Sequence, residues 1–418
     1  MNRISRLWVA LPLAGALATP ALATDGYFSH GYGTQSKAMA GAGVALGLNS
    51  LAPATNPAAM VFVGSRYDVG MALFNPNREF SVSGQPSGYP GTFGLAPGTV
   101  QSGSKAFPVP SLGANWRLGE NGTFGVAAFG NGGMNTDYAA PVFGFAPAGV
   151  DMSQMFLAPT YAHKIAGKHA LGLSLIGAYQ RFEARGLQAF AAFSSHPGNL
   201  TDKDHANSFG VGARLGYLGN LLPWLSVGAS YQTRIHMSDF EKYSGLFAEE
   251  GGFDIPATWT AGIAVKPVDR LTVAFDVQQI YYSKVRSVGN DFLPNLAVAP
   301  LGTDQGAGFG WHDMTVYKGG LRLTTGPDWT WLAGYSYARG PIRDNEVLIN
   351  ILAPGVMEQH LTAGVSRLLG KGKLLNFSVM RALPKTVSGP NNLEAPGQQT
   401  IDLRMDQWEF DLSFSFGF

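Results

Sequence analysis

Cysteine is absent from this 418-residue sequence, which excludes a disulfide scaffold and a thiolate metal site. Charged residues are also scarce: Asp, Glu, Lys and Arg make up 14% of the chain, against about 25% in a typical soluble domain. With 29 basic and 28 acidic residues, the chain lacks the electrostatic footprint of a nucleic-acid-binding protein. Beyond the amino terminus, no stretch approaches the roughly 20 apolar residues of a membrane-spanning helix. The composition therefore indicates a surface covered largely by something other than water, without a helical anchor.

Motifs for catalysis are missing too. The sequence contains no Gly-x-Ser-x-Gly elbow and no His-Glu-x-x-His site, and the glycines from Gly41 to Gly47 lack the spacing of a dinucleotide fingerprint. The eight histidines are scattered, and His196 and His205 lack the paired spacing of a metal site. We therefore predict no enzymatic activity, no cofactor and no bound metal. A Ser-His pair hidden on a strand, as in a lipase, stays open as an alternative.

The last eleven residues, in contrast, follow a strict alternation. One parity is apolar and the other polar or small: Trp408, Phe410, Leu412, Phe414, Phe416 and Phe418 alternate with Glu409, Asp411, Ser413, Ser415 and Gly417. Because side chains alternate across a strand, the segment has one apolar and one polar face. An outward apolar band with aromatic girdles is what an outer-membrane β-barrel needs, so the segment predicts a strand between lipid and water.

The amino terminus has the features of a secretory signal. Arg3 and Arg6 precede an apolar run from Leu7 to Leu17, and small residues place the cleavage after Ala23. We predict that residues 1–23 are a signal peptide and that the mature chain leaves the cytoplasm.

Alternating segments recur along the rest of the chain. Fourteen can be placed, at about 66–84, 103–118, 122–138, 151–166, 168–184, 205–218, 222–238, 254–266, 269–285, 311–325, 327–340, 358–369, 371–386 and 403–418. Tight turns such as 119–121 alternate with long loops such as 287–310, as in hairpins with short periplasmic turns and long outer loops. We predict an all-β fold, a transmembrane antiparallel β-barrel of about 14 strands over residues 65–418, which no linker divides.

The same alternation assigns several bases to the lumen. When the apolar residues of their strands face lipid, Arg214, Lys318 and Arg322 turn inward, since a charge on the lipid face at mid-membrane costs about 2–4 kcal/mol. These bases are candidates for binding an anionic group of a ligand in the lumen. A lumen salt-bridge network, for example with Asp276, is the alternative.

Residues 24–64 have the pattern of short helices and turns rather than strand. Asn56 can cap a helix, and Pro57, followed by Ala58, occupies the first helical position, where its missing donor is harmless. Because a barrel of this size otherwise leaves a water channel, we predict that this segment folds back as a mostly helical hatch in the lumen.

Together these features resemble the outer-membrane long-chain fatty acid transporter family (FadL-like), which also includes aromatic-hydrocarbon uptake channels. The resemblance covers essentially the whole mature chain. It rests on the aromatic-rich mature start, the Gly41-Ala-Gly43 stretch, the Asn56-Pro57-Ala58 triplet, the fourteen-strand pattern and the terminal Phe418. It implies a hatch that fills the barrel, a third strand kinked inward to open a lateral gap, and apolar loops that gather ligand. It also implies passive diffusion into the outer membrane, and for Phe418 a role in assembly by the barrel-assembly machinery.

Two sets of residues suit that mechanism. Glycine marks bulges and bends in strands, and the third strand carries Gly130, Gly132 and Gly133; room for packing of the hatch is the alternative explanation. Apolar surface marks binding sites, and the candidate ligand-binding loop residues are Phe143, Phe145, Phe190 and Phe193; packing of the loops on one another is the alternative.

The leading hypothesis is thus a monomeric outer-membrane transporter for passive uptake of hydrophobic molecules, most simply long-chain fatty acids. The first alternative is a channel for aromatic or other neutral hydrocarbons. The second is a porin for polar solutes, or a barrel lipase. The expected partners are the hydrophobic ligand and outer-membrane lipid, without nucleic acid.

Overall fold

Within residues 25–418, which the computed structural model describes, fourteen long strands form one closed antiparallel barrel. The predicted signal peptide lies outside these residues. The strands are β1 Arg66–Ser83, β2 Phe107–Leu118, β3 Gly122–Asn135, β4 Gly149–Ile165, β5 His169–Arg185, β6 Ala206–Leu222, β7 Leu225–Gln232, β8 Thr258–Val268, β9 Leu271–Ile280, β10 Met314–Thr325, β11 Trp329–Ala338, β12 Gln359–Gly370, β13 Lys373–Pro390 and β14 Thr400–Gly417. This confirms the predicted fold class.

The remaining elements are short. Two small strands, Gly98–Gln101 and His236–Met237, pair with β1 and β6 beyond the barrel ladders. The α-helical turns are Thr34–Ala38, Ala248–Gly251, Arg286–Gly289 and Phe292–Leu296, and the 3-10 turns are Ala52–Ala54, Pro57–Phe62, Gln188–Phe193, Pro197–Asn199, Glu241–Tyr243, Tyr282–Lys284, Asp344–Glu346 and Ile349–Ile351. Among the described residues, none of the helices has the length and apolarity that crossing a membrane requires.

The barrel closes where the terminal strand meets the first. β14 pairs with β1 from Gly417 opposite Arg66 to Thr400 opposite Ser83. Its predicted alternation holds, because Trp408 is exposed on the outside whereas Glu409 is buried on the inside. The apolar parity of the chain end is therefore the lipid-facing surface of the closing strand.

Most strand ends agree with the alternation, but β7 ends earlier than predicted. It stops at Gln232 instead of near 238, because the Ala213 N–H donates to the side-chain oxygen of Thr233 at 3.1 Å. The next residue, Arg234, turns toward Asp254 and forms an ion pair with it at 2.6 Å. A side chain thus replaces the backbone acceptor that would have continued the ladder.

The N-terminal segment, residues 25–64, packs inside the barrel against inward-facing positions of the wall. The segment comes so close to the strands that a Cβ atom at several inward glycines would overlap its backbone or side-chain atoms; these are Gly113, Gly172, Gly216, Gly228, Gly334 and Gly364. Small residues on the inner wall therefore accommodate the segment, which accounts for part of the high glycine content. Above the segment, toward the end with the long loops, an apolar core fills the lumen.

Candidate functional site

The wall is irregular at the third strand. The ladder between β3 and β4 shifts by one residue between Gly130 and Gly132, so that Asn131 forms a bulge. On the opposite edge of β3, the ladder with β2 ends at the Ser111–Phe129 pair, although β2 stays paired with β1 as far as its first residue. Beyond Phe129, toward the loop end, β3 thus leaves its neighbour in the wall.

The N-terminal segment bonds to β3 where β2 leaves it. Phe28 forms a bridge with Gly132, and the Gly133 N–H donates to the Tyr27 carbonyl oxygen at 2.9 Å. A side chain at Gly132 would overlap that carbonyl oxygen, so this glycine makes room for the segment. The backbone of β3 is therefore satisfied by protein at a depth where lipid could not satisfy it.

Sequence reasoning missed Asn131, the residue that forms the bulge. Its carbonyl oxygen accepts from the Ser29 N–H at 2.9 Å, and its side-chain oxygen accepts from the Tyr32 hydroxyl at 2.8 Å. Its side-chain nitrogen donates to Gln154 at 2.8 Å. The available signal was a lone polar residue within a run of glycines, and that signal does not by itself locate a bulge.

Asn56 is the most heavily bonded residue of the Asn56-Pro57-Ala58 triplet. Its side-chain oxygen caps the 3-10 turn by accepting from the Ala58 N–H at 3.0 Å. Its side-chain nitrogen donates to the carbonyl oxygens of Val44 at 2.7 Å and Tyr217 at 2.8 Å. Pro57 lies at the start of the turn, as predicted for its fixed backbone angle. The triplet therefore ties the N-terminal segment both to itself and to β6.

Replacing Asn56 with Ala should loosen the N-terminal segment. The change removes three hydrogen bonds at a buried position and leaves their partners unsatisfied, a loss of about 2–4 kcal/mol. We expect a larger or noisier conductance in planar bilayers, with the barrel still folded. A matched control is Asn392→Ala, because Asn392 is exposed and donates to the Asn345 carbonyl oxygen of another loop. Identical conductance of Asn56→Ala and wild type would contradict the role.

Two of the three predicted lumen bases hold the N-terminal segment. Arg214 donates to the Pro53 carbonyl oxygen at 2.8 Å. Lys318 donates to the His30 carbonyl oxygen at 2.8 Å and lies 3.1 Å from Asp25. Arg214 and Lys318 border one polar cavity between the segment and the wall. Their charges are thus already engaged by the chain itself.

Two details differ from the possibilities raised by the sequence. Asp276 does not pair with Lys318, although they are opposite on neighbouring strands; instead it accepts from the backbone N–H groups of Gly43 at 2.7 Å and Val44 at 2.8 Å. Arg322 lies away from the polar cavity, opposite Thr272, and is partly exposed. The three bases therefore do not form one cluster.

The four loop phenylalanines fall into two pairs. Phe143 and Phe190 are buried and their ring centroids lie 5.1 Å apart, whereas Phe145 and Phe193 are about half exposed, at 56% and 50%. Phe190 also contacts Phe292, at 5.9 Å between centroids. The buried pair thus fits the interpretation that the loops pack on one another, and the exposed pair is available to a ligand.

A small apolar cavity of about 30 Å³ lies beneath these loops. Its lining comes from several loops and strand ends, and includes Phe182, Phe190, Phe247, Phe292, Phe309 and Leu352. At the edge of this region Glu346 accepts from the Phe292 N–H at 3.0 Å, and burial raises the pKa of its carboxyl group. The cavity walls carry no charged side chain, so they suit an apolar ligand.

Aromatic rings connect this cavity to the break in the wall. Phe247, at the cavity, contacts Phe253 with centroids 4.9 Å apart, and Phe253 contacts Tyr27 at 6.1 Å. Tyr27 also packs on Tyr282 at 5.0 Å and on Trp311 at 5.9 Å. Because the Tyr27 backbone bonds to β3, the aromatic path ends at the irregular strand.

Asp151, Glu183 and His205 bring three potential metal ligands together at the loop end of the wall. A guanidinium only donates hydrogen bonds, so Arg181, 2.9 Å from Nδ1 of His205, fixes that atom as an acceptor. The ring then carries its proton on Nε2 and donates it to Asp151 at 3.0 Å. These contacts are a hydrogen-bond network, which leaves no ring lone pair for a metal.

Comparisons with known proteins agree with one another, and each match covers most of the chain. A family model described as "Outer membrane protein transport protein (OMPP1/FadL/TodX)" matches residues 19–366. The toluene transporter TodX of Pseudomonas putida is 17% identical, with 93% of this chain and 99% of that chain covered and a TM-score of 0.66. A FadL homologue of Pseudomonas aeruginosa is 17% identical, with coverages of 94% and 100% and a TM-score of 0.70. The toluene transporter TbuX of Ralstonia pickettii is 19% identical, with coverages of 93% and 99% and a TM-score of 0.64. A search of curated proteins finds no match.

Proposed function

Because this chain belongs to the outer membrane protein transport protein family (OMPP1/FadL/TodX), we propose that it admits hydrophobic molecules by passive diffusion and releases them sideways through its wall. Its place in the family makes it an outer-membrane β-barrel transporter of hydrophobic compounds and not an enzyme. The substrate, the route and the residues along it are our proposal.

Capture begins at the loops. Phe145 and Phe193 offer exposed apolar surface near the cavity beneath the loops. An acyl chain gains about 0.8 kcal/mol for each methylene it buries, so such a surface can bind a long chain without a polar contact. The cavity of about 30 Å³ is too small for such a chain, since even benzene occupies a cavity of about 150 Å³. The loops must therefore part for the ligand to enter.

The observation that carries the proposal is the aromatic path from the cavity to Tyr27. Its rings provide a continuous apolar surface through the lumen, and its last residue bonds to the part of β3 that β2 has left. A shift of Tyr27 and Phe28 would release that edge and connect the lumen with lipid between β2 and β3. Residues 25–64 thus act as a hatch, and Gly130, Asn131 and Gly132 shape the exit.

Long-chain fatty acids are our leading substrate. Monoaromatic hydrocarbons are the second candidate, because the cavity beneath the loops has no charged lining and two similar structures are toluene transporters by name. The engagement of Arg214 and Lys318 with the N-terminal segment also removes two cations that an acid could have used.

Uptake of labelled oleate and labelled toluene tests the proposal. In a bacterial strain that lacks its own transporters of this kind, expression should raise oleate uptake several-fold above the empty vector. Toluene uptake alone would favour the second candidate. Uptake of neither, with the protein folded in the outer membrane, would contradict the proposal.

A further inference from the structure

One buried cation of the lumen has neither an acidic partner nor a hydrogen bond for each of its guanidinium nitrogens among residues 25–418. Arg78 lies on the inward parity of β1 and is 4% exposed. Its Nη1 donates to the Ser104 carbonyl oxygen at 3.3 Å, whereas its Nη2 is buried without a hydrogen-bond partner among residues 25–418. In the same range, no carboxylate lies within ion-pair distance of this guanidinium.

Such a group is unfavourable unless something else compensates it. A buried charge is normally paired or fully hydrogen-bonded, because removing it from water costs several kcal/mol. Arg214 and Lys318 meet this rule through the N-terminal segment. Arg322 is partly exposed to water, although its Nε is buried without a hydrogen-bond partner in the described residues. Arg78 also borders a polar space of about 150 Å³ with Glu79 and Asp406, but its Nη2 is buried away from water and no residue from 25 to 418 bonds to it.

The position of Arg78 relates it to the proposed exit. Its guanidinium carbon lies 5.7 Å from the ring centroid of Phe107, the first residue of β2. Ser104, whose carbonyl oxygen accepts from the Arg78 side chain, belongs to the loop that joins β2 to the short strand beside β1. The cation is therefore next to the loop-side end of β2, four residues beyond the Ser111–Phe129 pair at which β2 and β3 separate.

A second unsatisfied atom borders the same cavity. Arg78 lines a small space together with Gly26, Met134, Asn135 and Trp311. The side-chain oxygen of Asn135 is buried without a hydrogen-bond partner in the described residues. A carboxylate can accept from the guanidinium, and a water molecule bound to that carboxylate can donate to the amide oxygen.

We propose that Arg78 and Asn135 bind the carboxyl group of an amphiphilic substrate while its apolar chain lies along the aromatic path. This rests on the proposed function and selects acids over neutral hydrocarbons. The cavity measures about 10 Å³, which admits a water molecule but not a carboxyl group, so its walls must shift on binding. Met134 and Met405 form part of those walls, and unbranched thioether side chains adapt readily.

The test is Arg78→Met, with uptake of labelled oleate and labelled toluene measured in parallel. Oleate uptake should fall about ten- to a hundredfold, the usual effect of losing a charged hydrogen bond, and toluene uptake should not change. Arg78→Lys should recover part of the oleate uptake, because it restores the charge. Arg404→Met is the matched control, since Arg404 is exposed, pairs with Glu79 and should leave both substrates unaffected.

Several outcomes would overturn the assignment. Equal loss of oleate and toluene would mean that Arg78 only supports the fold, and unchanged oleate uptake would mean that it does not bind substrate. A lower phosphorus content of purified Arg78→Met, with oleate uptake intact, would assign Arg78 to a membrane-lipid headgroup instead.

Binding of oleate to purified protein keeps this inference separate from the proposed function. If wild type binds oleate but transports neither substrate, the route fails, while weaker binding by Arg78→Met still supports the site. If Arg78→Met does not fold, Asn135→Leu replaces it in the titration, and binding equal to wild type would overturn the site.

Discussion

Deletion of Asn131 should reduce substrate uptake to about a tenth of wild type or less, with the barrel still folded, because a continuous ladder leaves no hole at membrane depth. Asn131 is the extra residue between the Gly130–Met155 and Gly132–Gln154 pairs. Without it, both pairs follow one another in regular register, and β3 loses the bend that takes it away from β2. Uptake of labelled oleate in whole cells measures the effect.

Asn131→Ala is the matched control for the deletion. It removes the side-chain bonds to Tyr32 and Gln154 but keeps the bulge, so uptake should stay close to that of wild type. Heat-modifiable migration in gels should show that both variants form closed barrels. If the deletion variant is folded and transports normally, the exit does not lie between β2 and β3.

The barrel was predictable because its signal is local. Each strand carries its own alternation, and a residue such as Trp408 reveals its lipid-facing parity without knowledge of any partner. The even strand count is consistent with a closed barrel, in which the last strand pairs with the first. The short turns were equally visible, since glycine and asparagine mark them directly.

The site was less predictable because its contacts are not local. The ligand-binding roles assigned to Phe143 and Phe190 depended on exposure, and the structure buries both through loops distant in sequence. The sequence predicted that Lys318 faces inward. Its partner Asp25, however, lies in the N-terminal segment, about 290 residues earlier in the chain. Alternation along a strand predicts which side of the barrel wall a side chain faces. It does not predict which distant segment packs against that side.

Arg78 shows both what strand alternation predicts and what it does not. Its inward parity could be read from β1, where the outward positions Leu73 and Asn75 flank an inward Phe74. Its importance could not, because an unpaired cation is recognised only once every possible partner has been placed. The sequence therefore predicts inward bases, and the structure distinguishes those that hold the N-terminal segment from Arg78, whose Nη2 has no hydrogen-bond partner in the described residues.

Replacing Lys37 with Met should weaken the packing of the N-terminal segment inside the barrel by about 3–5 kcal/mol. This is the usual cost of removing one partner from a buried ion pair. Lys37 contacts Glu409 directly and lies 3.1 Å from Asp411, both on the inner face of β14. All three side chains are almost fully buried. The variant leaves two neighbouring carboxylates without their cation, whereas the wild-type cluster joins the segment to the closing strand.

We expect Lys37→Met to form a barrel that conducts ions more than wild type in planar bilayers and unfolds at a lower temperature. Adding Glu409→Gln should recover part of the loss, because the double variant leaves one buried charge fewer, and the coupling is measured by a double-mutant cycle. Lys266→Met, at an exposed position near the end of β8, should behave as wild type. Equal conductance of Lys37→Met and wild type would show that the segment is held by its backbone packing against the inward glycines rather than by this ion cluster.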